Sequence, residues 1–343
     1  MRGFSSAGRA VGAAVAGCVI LGLLAWTLGP RERVRTDDVV TVMSPPADPD
    51  AWLAARAAAV PDLRPSAAAR IVWADAPGRR TALSLVYLHG FSASAEEIRP
   101  VPERVAQALG ANLFLARLSG HGRDGAAMAE PRARDWYRDA AEAMAIGRRL
   151  GNRVVVIGTS TGGTLATALT LDPALREARE GLAGLALISP NFRAADPAAA
   201  VLTWPFARFW VPLIAGRTRS FEPLNPEHAA HWTTRYPTVA LLPMQALVDR
   251  VEALDPAGTD LPALFVFSPD DTVVDAAATE AVASAWGGPV RVERIASRPG
   301  LDPQAHVLAG DILSPAGTGP MVELLAGWAR GLDAGGLEAR RPE

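Results

Sequence analysis

The chain has 343 residues, 49 % of them hydrophobic and 20 % charged, a composition that excludes disorder, collagen-like repeats and a multi-pass membrane protein. Its 34 basic and 36 acidic side chains leave a net charge of -2, so there is no positive surplus to neutralise a phosphate backbone, and nucleic acid is not expected as a partner. Every basic residue is Arg, and the single cysteine, Cys18, can form neither an intrachain disulfide nor a Cys-based metal cluster.

Ala10 to Gly29 read AVGAAVAGCVILGLLAWTLG without a charge. About twenty residues at roughly 1.5 Å rise match a hydrocarbon core of about 30 Å. Arg2 and Arg9 precede the run, Trp26 lies near its far end, and Pro30 followed by Arg31, Arg33 and Arg35 ends it. This pattern predicts a single-pass anchor over residues 1–30, with the folded domain outside the cytoplasm. A cleaved signal peptide is the rival reading, but its apolar core is shorter and no clear cleavage site follows here. Val15-Ala16-Gly17-Cys18 also resembles a lipoprotein box, although the apolar run continues through Val19-Ile20-Leu21.

Residues 31–68 mix Arg, Asp, Pro and Ala without a period and read as a tether with a short helix near Trp52 to Ala59. Strand-like runs then follow at Arg70–Trp73, Ala82–Leu88, Asn112–Leu118, Arg153–Ile157, Leu185–Ile188, Leu264–Phe267 and Val290–Ile295. Helix-like runs fall between several of them, at Ala95–Leu109, Asp135–Leu150, Thr161–Leu171, Asp275–Trp286 and Pro320–Leu332. Buried strands alternating with amphipathic helices predict an α/β domain over 69–335, with a mostly parallel sheet covered on both faces. The segment 191–262 breaks the alternation and is rich in Trp, Pro and Phe. It is read as an inserted helical cap.

The apolar strand Val154-Val155-Val156-Ile157 runs into Gly158-Thr159-Ser160-Thr161-Gly162 and then into a helical run. That context is a nucleophile elbow: Ser160 sits on a strained strand-to-helix turn, and the glycines let neighbouring backbone pass. A second apolar strand ends in Leu88-His89-Gly90-Phe91. The main-chain N–H groups of Phe91 and Thr161 are the expected oxyanion donors. A serine hydroxyl needs a base and an acid to orient that base. Of the five histidines, His306 lies downstream of the strand at 290–295 and is the candidate base. Ser268-Pro269-Asp270-Asp271-Thr272-Val273-Val274-Asp275 follows another strand. Asp271 is the candidate acid with Asp270 as the alternative, while Asp275 is read as a helix cap.

With these motifs the chain resembles the α/β-hydrolase superfamily and is similar to monoacylglycerol lipases and small bacterial carboxylesterases. The resemblance runs from Val72 to Leu332 through Leu88-His89-Gly90-Phe91, Arg117-Leu118-Ser119-Gly120-His121-Gly122, Gly158-Thr159-Ser160-Thr161-Gly162, the Asp271 segment and His306. It implies an ester-hydrolysing Ser160, Asp271 and His306 triad, with no metal and no organic cofactor. The expected activity is a membrane-anchored serine hydrolase acting on small-molecule or lipid esters. An aminopeptidase, thioesterase or acyl transferase on the same fold, or a non-catalytic tethered binding module, stays open.

Three further patterns are weighed. Gly120-His121-Gly122-Arg123-Asp124-Gly125 matches the dinucleotide fingerprint, but Asp139 and Glu142 sit within a helix and not at the end of a second strand, so the pattern is rejected and His121 is read as structural. Glu227-His228 and His231 have no evident third metal ligand. Trp204, Phe206, Phe209 and Trp210, with Leu213 and Ile214, form an aromatic stripe. It reads as cap core, or as an acyl-binding wall or membrane-facing lip.

Overall fold

Alternation within fully buried strands sets the architecture. In Thr81–Leu88 the side chains of Leu85 and Tyr87 enter one apolar cluster, and those of Val86 and Leu88 enter another on the opposite face. Both faces must therefore be covered. The computed structural model describes residues 6–34, 40–41, 44 and 46–333. Its strands are β1 (Arg70–Val72), β2 (Thr81–Leu88), β3 (Asn112–Leu115), β4 (Gly151–Thr159), β5 (Leu182–Ile188), β6 (Thr218–Ser220), β7 (Arg235–Pro237), β8 (Ala263–Phe267) and β9 (Val290–Arg294). Its helices are α1 (Ser6–Leu28), α2 (Pro49–Ala58), α3 (Val101–Leu109), α4 (Ala133–Leu150), α5 (Thr161–Leu171), α6 (Ala207–Ile214), α7 (Pro226–His231), α8 (Leu241–Glu252), α9 (Ala276–Ala285) and α10 (Pro315–Asp333).

The main sheet has seven strands in the order β1-β3-β2-β4-β5-β8-β9. Only β1 pairs antiparallel, at one edge. One cluster joins the sheet to α4, α5, α8 and α9, and the other joins it to α3 and α10. This is the mostly parallel, doubly covered sheet expected from the alternation. The expected helix at 95–109 divides into a 3-10 turn at Ala95–Ile98 and α3. Pro100 supplies the break, since it donates no backbone hydrogen bond and disfavours helical backbone at the residue before it.

The segment between β5 and β8 departs from an all-helical cap. It carries the antiparallel hairpin β6–β7, and its last helix, α8, sends Leu247 and Val251 into the sheet's core cluster beside α5. Residues 46–68 are also more than a tether. Leu53 of α2 is buried, Trp73 Nε1 donates to Asp50 at 2.9 Å, and Arg64 N donates to Gly122 O at 2.8 Å. The expected domain end at 335 lies outside the described residues.

The backbone of α1 is helical over 23 residues, although among the described residues no helix is long and apolar enough to cross a membrane. Arg2 and Arg35 lie outside the described residues, as do the side chains of residues 6–11. The end of α1 rests on the outside of the inserted segment. Trp26 and Trp204 meet edge to face at 5.2 Å, Phe206 N donates to Pro30 O at 2.8 Å, and Glu32 pairs with Arg208 at 3.0 Å.

Candidate active site

The carboxyl ends of β2, β4, β5 and β8 converge on one cavity of about 570 Å³. Ser160 leaves β4 with φ +52° and ψ -119° and opens α5. Few non-glycine residues adopt such a backbone, and the cost is tolerated where surrounding structure fixes it. Here Ser160 N donates to Ile188 O at 2.9 Å, while Ser160 O accepts from Gly163 N, Thr164 N and Asn191 N. A methyl group on Gly158 would lie 2.5 Å from Gly162 O, and one on Gly162 would lie 2.0 Å from Leu88 O. Both elbow glycines are thus required by close backbone approach.

His306 Nδ1 lies 2.8 Å from Asp271 Oδ2. A carboxylate only accepts, so Nδ1–H donates and Nε2 is left as the basic nitrogen. Asp271 Oδ1 is held by the N–H groups of Val273 and Val274, at 2.8 and 3.0 Å. Its neighbour Asp270 turns away to accept from Ser297 N. Asp275 accepts from Ala277 N at 2.9 Å and caps α9. Ser160 and His306 line the same cavity, without a direct Oγ–Nε2 hydrogen bond among the described residues; such contacts are often long before substrate enters. Burial pushes the His306 pKa down, but the Asp271 hydrogen bond and charge, with Asp302 and Glu97, outweigh it and hold the imidazole above its ordinary value.

A base works only when neutral, so kcat/KM is expected to fall on the acid side at a pH above the ordinary histidine value of about 6.5. Asp271→Asn removes the largest of the raising contributions, leaving only Asp302 and Glu97 to oppose burial. A pH profile of the variant is expected to show lower activity at every pH, with the acid limb displaced to lower pH. A limb displaced upward would contradict this electrostatic assignment.

Two buried histidines hold the main chain at Gly90 and Ser119. His89 Nε2 accepts from Leu118 N at 3.1 Å, which leaves Nδ1–H to donate to Gly90 O at 2.9 Å. That bond pins the Gly90–Phe91 peptide by its carbonyl, and in a trans peptide the Phe91 N–H points the opposite way. His121 repeats the pattern, accepting from Ser92 N and donating to Ser119 O, both at 3.1 Å. Burial lowers both pKa values, His89 to about 4 and His121 well below its ordinary value. Both rings are therefore neutral struts. Among the described residues neither Phe91 N–H nor Thr161 N–H has a hydrogen-bond partner, and both residues line the cavity.

Of the four aromatic residues expected to bind substrate, Trp210 lines the cavity. Phe209 is exposed, because neighbouring residues of a helix point about 100° apart, and Trp204 and Phe206, which precede α6, lie on the outer surface beside the end of α1. Phe221, Trp232 and Tyr236 line the wall in their place. Asn191, which no sequence motif singles out, also lines the cavity; among the described residues its buried Oδ1 has no hydrogen-bond partner, nor has Thr161 Oγ1. The signal for Asn191 was its position just beyond β5, since ligands in such folds gather at the strands' carboxyl ends.

The remaining motifs serve the fold in this geometry, and His228 also lines the cavity. Gly120 and Gly122 have φ +80° and +76° and serve a turn, and Asp139 accepts from Ser119 N at 2.6 Å. His228 accepts from Leu224 N, and His231 faces Glu227 at 3.3 Å. Among the described residues no group of three or more His, Cys, Asp or Glu stands close enough to hold a metal.

Residues 85–311 match the Alpha/beta hydrolase family. The chain belongs to this family. No curated protein matches its sequence. Among solved structures, the metagenome-derived lipolytic enzymes LipS and LipT are represented by a chain with 20 % identity and a TM-score of 0.59, covering 78 % of this chain and 99 % of that one. A soluble variant of Saccharomyces cerevisiae monoglyceride lipase gives 10 % identity and 0.55, covering 78 % and 91 %. The Paleococcus ferrophilus monoacylglycerol lipase gives 13 % and 0.53, covering 76 % and 98 %. At these identities the likeness is one of fold.

Proposed function

We propose that this α/β-hydrolase cleaves carboxylic esters of apolar acids through Ser160, with His306 as base and Asp271 orienting it. The observation that carries this reading is the Asp271–His306 hydrogen bond at 2.8 Å, which leaves Nε2 for the cavity that Ser160 also lines. In the proposed reaction Ser160 Oγ attacks the ester carbon while its proton passes to His306 Nε2, and the carbonyl π electrons move to oxygen. The Phe91 and Thr161 N–H groups receive that oxyanion. Collapse expels the alcohol, which takes the proton from His306, and water repeats the sequence on the acyl-enzyme to release the acid.

The lining favours an apolar acyl chain. Leu202, Trp210, Val211, Ile214, Leu241 and Met244 line the cavity, and each buried methylene is worth about 0.8 kcal/mol. With p-nitrophenyl esters of increasing chain length, kcat/KM is expected to rise by about three- to fourfold per methylene until the cavity is filled. A series that declines from acetate onward would overturn the apolar-acyl assignment.

The membrane reading is part of the same proposal. The uncharged run 10–29 is helical to Leu28, and Val19, Ile20, Leu21 and Leu23 are exposed on several sides of it. A helix apolar all round has no stable place in water, and an anchor at residues 1–30 accounts for it. Full-length protein is expected to sediment with membranes and a form lacking residues 1–30 to remain in the supernatant; equal partition would count against the anchor.

A further inference from the structure

Behind the oxyanion loop lies a buried carboxyl group that the proposed reaction does not use. Glu97 is 3 % exposed, and among the described residues no arginine pairs with it. Its Oε1 accepts from Tyr87 Oη and from Gly90 N, both at 2.6 Å. Tyr87 Oη in turn lies 3.1 Å from Thr159 Oγ1, one residue before Ser160. A methyl group placed on Gly90 would sit 2.9 Å from Glu97 Oε2 and 3.2 Å from Ser160 Cβ. The Glu97 carboxyl and the Ser160 side chain therefore both border the space left by the missing side chain of Gly90. On its other side Glu97 O packs against Gly310, four residues beyond His306.

We propose that Glu97 is a positioning residue of this site, holding the Gly90–Phe91 oxyanion loop by hydrogen bonding and stabilising a positively charged His306 by its own negative charge. The inference rests on the ester-hydrolase reading above. Gly90 is gripped from both ends, its N–H by Glu97 and its carbonyl by His89 Nδ1, so the direction of the Phe91 N–H is fixed before substrate arrives. Such preorganised donors act without reorganisation as charge develops.

The charged form of Glu97 supplies the second effect. Burial raises its pKa to about 7, against the Tyr87 and Gly90 hydrogen bonds and the His306 charge, which favour ionisation. The groups facing it are Tyr87 from β2 and His306 from the loop after β9, with Glu103 of α3 acting on Tyr87. When His306 gains the Ser160 proton, the attraction between the two grows and Glu97 ionises more readily. Burial of a carboxylate without a cationic partner costs stability, which the hydrogen bonds from Tyr87 and Gly90 offset in part.

The test is Glu97→Gln in the full chain, assayed on a p-nitrophenyl ester from about pH 5 to about pH 9. Glutamine keeps the volume and an acceptor for Tyr87 and Gly90 but carries no charge. The expected result is a kcat about tenfold lower, KM within about twofold, and an acid limb displaced to lower pH because His306 has lost a raising charge. Glu97→Ala, which also removes the acceptor, is expected to lose about 100-fold in kcat; where it fails to fold, the Gln variant alone decides. A Gln variant with the kcat and acid limb of the wild type overturns the inference while leaving the hydrolase reading intact. A wild-type enzyme that turns over no ester overturns both.

Discussion

Ser160→Ala is expected to lower kcat for ester hydrolysis by a factor on the order of 10³ or more while leaving thermal stability nearly unchanged. The loss is large because the groups act as a unit. Without Oγ there is no acyl-enzyme, and His306 and Asp271 are left with no proton to move. Stability is spared because alanine retains the Cβ of serine and suffers the same backbone strain at φ +52°, and the hydrogen bonds that hold the turn involve only main-chain atoms of residue 160. Steady-state kinetics and a melting curve on the same preparation check both halves. A variant retaining a tenth of the activity would show that another nucleophile or direct attack by water carries the reaction.

Gly162→Ala should fail for the opposite reason, through the fold. The added methyl would lie 2.0 Å from Leu88 O, 2.5 Å from Leu88 C and 2.8 Å from His89 O. Those atoms end β2, which is bonded to β3 on one side and β4 on the other, so they cannot retreat without breaking the sheet beside the oxyanion loop. Overpacking of this kind is expected to cost about 3 kcal/mol, lowering Tm by roughly 5 °C or more. Gly327→Ala in α10 is the control, because nothing lies within 4 Å of the added carbon; it should be neutral or stabilising by up to about 1 kcal/mol. Calorimetry that finds both variants equally stable would remove the argument that the elbow is sterically closed.

The parts of the molecule legible in the sequence are those governed by local pattern. Val154 to Ile157 are uniformly apolar because β4 is central and covered on both faces, and the glycines after them mark a turn that only glycine permits. What the sequence left open depends on contacts distant along the chain. Asp270 and Asp271 have the same chemistry and adjacent positions; the turn that gives Val273 N and Val274 N to Asp271 aims its other oxygen at His306. The stripe from Trp204 to Trp210 shares one composition, yet α6 turns Trp210 inward and Phe209 outward. The hairpin β6–β7 consists of three-residue strands, too short to display alternation. Glu97 sits in what reads as the first turn of an amphipathic helix, and its burial follows from the Pro100 break and from Tyr87 and Gly90 closing over it.

The most direct test of the central claim is labelling of the full chain by a fluorophosphonate probe, which reacts only with an activated serine, in wild type, Ser160→Ala and His306→Ala. The account predicts a labelled wild type and two unlabelled, folded variants. Labelling that persists in Ser160→Ala, or a folded wild type that does not label, would contradict it.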